Sequence, residues 1–99
     1  MVATNQTEQQ GSGPDQPSEQ GLIDRWIEEN PQHPGRADAR LRQRGVPVWA
    51  LIGHALAVNG DSARVACDYD LPREAAEAAF AYYRRYKPFI DDRLAANAS

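Results

Sequence analysis

The sequence feature that most constrains the fold is the segment 61–80, DSARVACDYDLPREAAEAAF, because its apolar residues follow the spacing of two short helices joined by a tight turn. The apolar positions are Val65, Ala66, Tyr69, Leu71, Ala76, Ala79 and Phe80. Asp61 is a good N-cap for the first of these helices. Asp70 lies at the turn, where a chain reversal needs a residue that tolerates a positive φ. The alanines let steeply crossing helices approach closely. This pattern predicts a helix-turn-helix, with a plain helical hairpin in a small bundle as the alternative.

The segment 46–59, VPVWALIGHALAVN, is the hydrophobic centre of the chain and predicts a further helix. Pro47 suits a first helical turn, and Gly60 is placed to end the helix in a left-handed cap. Apolar residues cover more of this helix than the stripe of about 100° that a small domain buries. Gly53 costs about 1 kcal/mol in a helix interior, so it indicates that another backbone comes close. The excess apolar surface predicts contact with a second copy or a partner protein.

A long helix is predicted from Pro72 onward, through the segment AAEAAFAYYRRYK. Pro88 removes a backbone hydrogen bond and should kink or break this helix. The residues after it, FIDDRLAAN, keep a helical pattern and are expected to extend beyond the compact domain. The aromatic residues here predict a core or interface cluster, with base stacking as the alternative. The predicted interface residues are Trp49, Ile52, Leu56, Phe80, Tyr83, Phe89 and Ile90.

The composition of residues 1–20 predicts a disordered tail, because this segment is rich in Gln, Ser, Gly, Pro and Glu. Such a segment can bury too little apolar surface to offset the entropy lost on ordering. The domain is therefore expected to span residues 21–99. Residues 22–29, LIDRWIEE, have the spacing of an amphipathic helix, but the run is short enough for a strand. Residues 36–45, RADARLRQRG, are compatible with a strand or a helix. The expected fold class is mainly α, with short N-terminal strands as an option.

The net charge of −3 is unevenly distributed, and residues 36–44 are the most basic part of the chain, with four arginines against one aspartate. A strand would place Arg40, Arg42 and Arg44 on one side, and a helix would align Arg36, Arg40 and Arg44. Either arrangement predicts a basic face for an anionic partner, unless the segment is only a solvated edge. The predicted DNA- or toxin-binding residues are Arg36, Arg40, Arg42, Arg44, Arg73, Arg84 and Arg85.

Catalytic and metal chemistry have little support in the sequence. The single cysteine, Cys67, excludes an internal disulfide, and neither His33 nor His54 has a partner at metal-ligand spacing. No nucleophile with a base at usable spacing and no glycine-rich phosphate loop occurs. We therefore expect a protein that is not an enzyme and that has no cofactor and no metal. The lack of a signal peptide and of a membrane-length apolar run predicts a cytoplasmic protein without a membrane partner.

Four short motifs occur together in the segment 46–85. They are Val46-Pro47-Val48-Trp49, the Gly60-Asp61 break, Asp68-Tyr69-Asp70-Leu71 and the Tyr82-Tyr83 helix. On these motifs the chain resembles, over residues 22–96, the domain-of-unknown-function 433 family, small proteins regarded as antitoxins of type II toxin-antitoxin pairs. The resemblance implies a homeodomain-like trihelical fold with short strands ahead of it. It also implies a homodimer and a neighbouring toxin that looks like a PIN-type ribonuclease.

Two functions follow as expectations. The first is an antitoxin-like protein that binds and neutralises a PIN-type ribonuclease toxin, with autoregulation of its operon through DNA binding as an added role. The alternative is a free-standing DNA-binding transcriptional regulator. The helix that would read DNA carries Glu74 and Glu77, whose charge is unfavourable near phosphates. Toxin binding is therefore the better supported of the two, and the expected partners are the toxin, a second copy of the chain and operator DNA.

Overall fold

The computed structural model describes residues 18–98 and shows, over that range, a mainly helical protein with one short antiparallel sheet. The elements are α1 (Glu19–Trp26), β1 (Ile27–Glu28), a 3-10 helix (Arg36–Asp38), β2 (Arg40–Leu41), α2 (Val48–Ala57), α3 (Ser62–Tyr69), α4 (Arg73–Arg85) and α5 (Lys87–Ala98). The predicted mainly α class with short N-terminal strands is confirmed. Most of the predicted tail, residues 1–17, lies outside the described residues. None of the helices in the described range is long and apolar enough to cross a bilayer.

The segment 22–29 combines its two predicted alternatives, a helix and then a strand. α1 begins after Ser18, ahead of the expected domain boundary, because the Ser18 hydroxyl accepts a hydrogen bond from the Gly21 N–H at 2.9 Å and satisfies a free helix donor. After Trp26 the backbone of Ile27 becomes extended, with φ −114° and ψ 138°. The helix therefore ends where β1 starts.

The segment 36–45 also divides, into the 3-10 helix, β2 and a following turn. The antiparallel register of the sheet places Ile27 opposite Leu41 and Glu28 opposite Arg40. Leu41 is fully buried, so the sheet fixes one large apolar side chain in the core. Arg44 has a φ of 68°, which ends the extended conformation. The strand alternative is thus confirmed only for the middle of this segment.

The predicted two-helix unit is formed by α3 and α4. The Asp61 carboxylate caps α3 by accepting a hydrogen bond from the Arg64 N–H at 3.1 Å. Asp70 adopts the left-handed conformation, with a φ of 57°, and Leu71 is buried directly after it. The buried positions of the two helices are mostly small, namely Val65, Ala66, Ala75, Ala76, Ala78, Ala79, Ala81 and Tyr82. The predicted cap, the turn residue and the close helix packing are all confirmed.

The helix predicted for residues 46–59 is shorter at both ends, because α2 starts only after Pro47. At its C-terminus both Asn59 and Gly60 have positive φ angles, 61° and 74°. The Gly60 N–H donates a hydrogen bond of 2.7 Å to the carbonyl of Ala55. This bond is the long bond of a Schellman cap, and Asn59 rather than Gly60 is the first left-handed residue.

The helical region around Pro88 is broken, as predicted, but its second half does not extend away from the domain. The break falls at Tyr86, two residues before Pro88, because proline cannot donate a helical hydrogen bond and its ring clashes with the carbonyl four residues earlier. α5 then packs against α2 and the 3-10 helix. Ile90 of α5 is fully buried. The expectation that residues after Pro88 lie beyond the compact domain is therefore wrong.

The return of α5 explains the unusual composition of α2. A Cβ atom built on Gly53 would lie 3.1 Å from the Cδ2 atom of Leu94, so the predicted close approach is real but comes from a side chain of α5 rather than from a backbone. α3, α4 and α5 all pack against α2. Most of the apolar surface of α2 is thus covered within the chain, and only the end at Leu56 remains open, with this side chain 63% exposed.

Candidate functional site

The charge of the predicted basic face is partly offset by carboxylates that are distant in sequence. Six of the seven predicted arginines approach a carboxylate within residues 18–98. The pairs are Arg40–Glu28 at 2.8 Å, Arg42–Glu28 at 3.5 Å, Arg44–Asp70 at 3.4 Å, Arg73–Glu77 at 3.2 Å, and Arg84–Glu19 and Arg85–Glu19 at 3.1 Å. Exposed pairs of this kind contribute at most about 1 kcal/mol to stability, but they offset the local charge. Because the six arginines share four carboxylates, the positive charge expected at this surface is reduced but not removed.

α4, the helix that would read DNA, lies at the centre of the domain and packs against α1, α2, α3 and α5. Its alanines and Tyr82 are buried in these contacts. Arg73, Glu77, Phe80 and Arg84 form one stripe of open positions on α4, and Arg85 is exposed outside this stripe. This stripe alternates in charge, whereas contacts to phosphates require cations. α4 thus offers a narrow surface of mixed charge and apolar character.

Arg36 is the exception among the predicted arginines, because no carboxylate in residues 18–98 pairs with it. Its guanidinium carbon lies 4.6 Å from the centroid of the Tyr86 ring and 6.0 Å from that of Phe89. Phe89 is itself 47% exposed. We call these three residues the Arg36 surface. It places a cation with free hydrogen-bond donors on an aromatic platform at the edge of the domain.

Tyr82 anchors the backbone of Arg36 to α4. Its hydroxyl donates a hydrogen bond of 2.9 Å to the Arg36 carbonyl. Burial raises the pKa of Tyr82 to about 12, so the hydroxyl stays protonated and able to donate at neutral pH. The Tyr82 and Tyr86 rings are in contact, with centroids 4.7 Å apart. No sequence signal joins these residues, because Arg36 and Tyr82 are separated by 46 positions.

A cleft of about 430 Å³ opens beside the Arg36 surface, between α1, β1 and α4. The carboxylates that line it belong to Asp24, Glu28 and Glu29. Glu28 is engaged by two arginines, and Glu29 accepts a hydrogen bond of 3.1 Å from the Gly35 N–H. Within residues 18–98 no group of three or more His, Cys, Asp or Glu side chains could hold a metal ion. The cleft is thus a polar recess flanking Arg36.

Four of the predicted interface residues come together at a second surface, an apolar groove of about 190 Å³ between α2 and α4. Its lining consists of Ile52, Ala55, Leu56, Gly60, Phe80, Tyr83 and Arg84. Leu56 stands at the edge of this groove and is largely exposed. Large exposed apolar side chains beside a groove are typical of protein contact sites.

The other predicted interface residues have different environments. Ile90 is fully buried in the core. Among the four groove residues, Ile52 is also nearly buried and exposes only 2% of its surface. Trp49 is half-buried, with the guanidinium carbon of Arg93 4.8 Å from its ring centroid. Phe89 belongs to the Arg36 surface. α5 and its Arg93 therefore cover part of the surface that the sequence assigned to a partner.

Two polar clusters were not predicted from the sequence. His54 of α2 is hydrogen-bonded to Asp68 of α3 at 2.7 Å, and Arg64 approaches the same carboxylate at 3.0 Å. The bond with His54 is the main cause that lowers the pKa of Asp68. In the other cluster, Lys87 of α5 and Tyr83 of α4 each donate a hydrogen bond of 2.7 Å to Asp91, and these bonds lower the pKa of Asp91, that of Lys87 most. Both clusters join neighbouring helices and stabilise the scaffold of the site.

No protein-family model, curated protein sequence or solved structure matches this chain. The candidate site consists of the Arg36 surface and the apolar groove. They lie on different sides of α4, because about 200° of helix rotation separates Phe80, at the groove, from Tyr82, behind Arg36. The two surfaces can contact different partners at the same time.

Proposed function

We propose that this protein is an antitoxin-like, non-enzymatic protein that binds and neutralises a ribonuclease of PIN type in the cytoplasm. The resemblance in residues 46–85 supplies the class of partner, and with it the proposal that α2, α3 and α4 form a homeodomain-like unit. The observation that carries the proposal is Arg36, whose guanidinium lacks a carboxylate partner within residues 18–98 and lies against two aromatic rings.

The Arg36 surface has the chemistry that an acidic protein site would recognise. A guanidinium binds a carboxylate through two parallel hydrogen bonds, and PIN-type ribonucleases are expected to hold their metal with a carboxylate cluster. Arginine and tyrosine are enriched among the residues that dominate protein interfaces. Contact with Tyr86 also restrains the Arg36 side chain before binding, which lowers the entropy lost on association. We therefore propose that Arg36 approaches the acidic site of the toxin and that Phe89 packs beside it.

DNA binding is the second proposal, either as autoregulation or as the role of a free-standing regulator. The left-handed conformation of Asp70 between α3 and α4 favours it, because a helix-turn-helix needs such a turn. The pairing of most predicted arginines with carboxylates and the central position of α4 weigh against it. Each phosphate contact contributes about 0.9 to the slope of log affinity against log salt. DNA binding through these arginines should therefore show a steep slope, and a shallow slope would agree with their pairing to carboxylates.

The test uses the full chain and the protein encoded by the neighbouring reading frame. A PIN-type nuclease encoded there should arrest growth when expressed alone, and co-expression of this chain should restore growth. Arg36→Glu should weaken the purified complex by about 30-fold or more, the effect of losing a residue worth at least about 2 kcal/mol at an interface. Arg25→Glu is the matched control, because Arg25 is also an exposed arginine against a ring, 5.6 Å from the centroid of Trp26.

Arg25→Glu should bind as tightly as the wild type. A neighbouring frame that encodes no nuclease would contradict the antitoxin assignment. A nuclease complex that forms equally well with Arg36→Glu would instead show that the toxin uses another surface. Binding of operator-region DNA with a steep salt dependence, in the absence of any nuclease partner, would favour the free-standing regulator.

A further inference from the structure

We propose that the cleft between α1, β1 and α4 binds a small basic amino acid, with the ligand's carboxylate on Arg36 and its ammonium groups on Asp24 and Glu29. The cleft has a volume of about 430 Å³, near the lower end of the range of about 300 to 1,000 Å³ that small-molecule sites cover. A molecule of amino-acid size therefore fits it. Binding is measured on this chain alone, so its outcome is separate from that of the toxin proposal.

Two carboxylates of the cleft have no cation to balance them. Asp24 and Glu29 form no ion pair within residues 18–98, whereas Glu28, the third carboxylate of the lining, is paired with two arginines. The hydrogen bonds that Asp24 and Glu29 accept come from neutral donors, the Gln20 side chain at 2.8 Å and the Gly35 N–H at 3.1 Å. A carboxylate has about four acceptor sites, so both carboxylates can still bind an ammonium group.

The opposite charge in the cleft is the guanidinium of Arg36, which has no carboxylate partner within residues 18–98. It lies 4.6 Å from the centroid of the Tyr86 ring, and the Tyr82 hydroxyl holds the Arg36 backbone at the cleft. Burial is the main cause that raises the pKa of Tyr82, and the charge of Glu29 adds to this rise while that of Arg36 opposes it. Both charges therefore lie near one hydroxyl, within the reach of one small molecule.

The balance of these charges selects the class of ligand. The two uncompensated carboxylates and the one guanidinium leave one negative charge in excess, which a ligand with two ammonium groups and one carboxylate neutralises. A guanidinium binds a carboxylate through two parallel hydrogen bonds. Ile23 and Ile27 also line the cleft, and apolar side chains of this kind cover the methylene chain of a basic amino acid well. Lysine has this combination of groups.

The first test is an NMR titration of the isotope-labelled full chain with L-lysine, L-norleucine and cadaverine at constant salt. Norleucine lacks the side-chain ammonium of lysine, and cadaverine lacks the carboxylate. Lysine should shift the amide signals of residues around the cleft with a dissociation constant of about 1 mM or lower, as expected for a small ligand at an open site. The other two compounds should bind about tenfold more weakly, because each loses a charged hydrogen bond. Shifts that do not saturate with lysine, or equal binding of all three compounds, overturn the proposal.

The second test assigns the two ends of the ligand to residues of the cleft. Arg36→Gln should weaken the binding of lysine about tenfold, while cadaverine should bind as tightly as before or more tightly, because only lysine brings a carboxylate to this position. Glu29→Gln should weaken the binding of both compounds. Its amide oxygen can still accept the hydrogen bond from the Gly35 N–H, so the turn that positions this residue is kept.

The matched controls are Arg25→Gln and Glu74→Gln, since neither residue lines the cleft. Both should bind lysine as the wild type does, and far-UV circular dichroism checks that all four variants are folded. A folded Arg36→Gln variant that loses lysine and cadaverine equally overturns the assignment of the carboxylate to Arg36. Loss of lysine binding in the control variants to the same extent as in the cleft variants overturns the site itself.

Discussion

Replacing Ile90 with alanine should destabilise the protein by about 3 to 4 kcal/mol. Ile90 lies in α5 and is fully buried. The substitution removes about three buried methylene equivalents at about 0.8 kcal/mol each, or about 2.4 kcal/mol, and the cavity left behind adds to this cost. A domain of this size has a free energy of unfolding of about 5 to 15 kcal/mol, so the loss is a large part of the total.

Urea unfolding followed by far-UV circular dichroism measures this loss as a lower midpoint with an unchanged slope. Phe89→Ala is the control, because Phe89 directly precedes Ile90 in α5 and is 47% exposed. It should cost less than about 1 kcal/mol. If Ile90→Ala were no more destabilising than Phe89→Ala, the docking of α5 against α2 and the reasoning based on it would be wrong.

Three further predictions concern a helix cap, a carboxylate and a tyrosine. Ser18→Ala should cost about 1 kcal/mol in calorimetry because α1 loses its N-cap, whereas deletion of residues 1–17 should cost less than about 0.5 kcal/mol. His54→Ala should raise the pKa of Asp68 in an NMR titration. In the wild type, the stability contributed by this carboxylate is present above its unfolded pKa and is lost as the pH falls through its lowered folded pKa. Tyr82→Phe should cost about 1 kcal/mol in urea unfolding, because the hydrogen bond to the Arg36 carbonyl is lost. The wild type should lose stability as the pH rises from 10 to about 12, because only the unfolded chain ionises Tyr82 in this range. This loss should be absent in Tyr82→Phe.

Each of these has a clear contrary result. Equal melting temperatures of the Ser18→Ala variant and the wild type would show that the cap does not stabilise α1. An Asp68 pKa that is the same with and without His54 would show that Arg64 alone accounts for its lowering. Alkaline unfolding that is unchanged in Tyr82→Phe would show that other groups cause the loss of stability.

The local structure of this chain could be predicted well, because short-range interactions decide it. Asp61 was expected to cap α3 and does so, and Asp70 was expected to tolerate the left-handed conformation and adopts it. The break near Pro88 follows from the geometry of proline itself. In each case the deciding contacts lie within about one helical turn, so neighbouring residues carry all the information.

The candidate site could be predicted only in part. Leu56 and Phe80, two of the predicted interface residues, lie together at the apolar groove, and whether a partner binds there stays a prediction. The charged residues behaved differently. Arg85 meets Glu19 across 66 positions of sequence, and Arg36 lies against Tyr86, so the net charge of a segment did not reveal which arginine would remain without a carboxylate.

The sequence by itself determined the cap of α3, the turn into α4, the break near Pro88, and which helix faces are apolar. Only the tertiary structure decided what covers those faces. α2 is apolar on nearly every side because α5 returns to pack against it, with Leu94 filling the space left by Gly53. The sequence pattern alone had indicated a partner protein there. The physical reason is that burial of apolar surface is favourable but not directional. A periodic pattern therefore specifies a helix face that must be covered. Whether the same chain or another protein covers that face is decided by the packing of the whole domain.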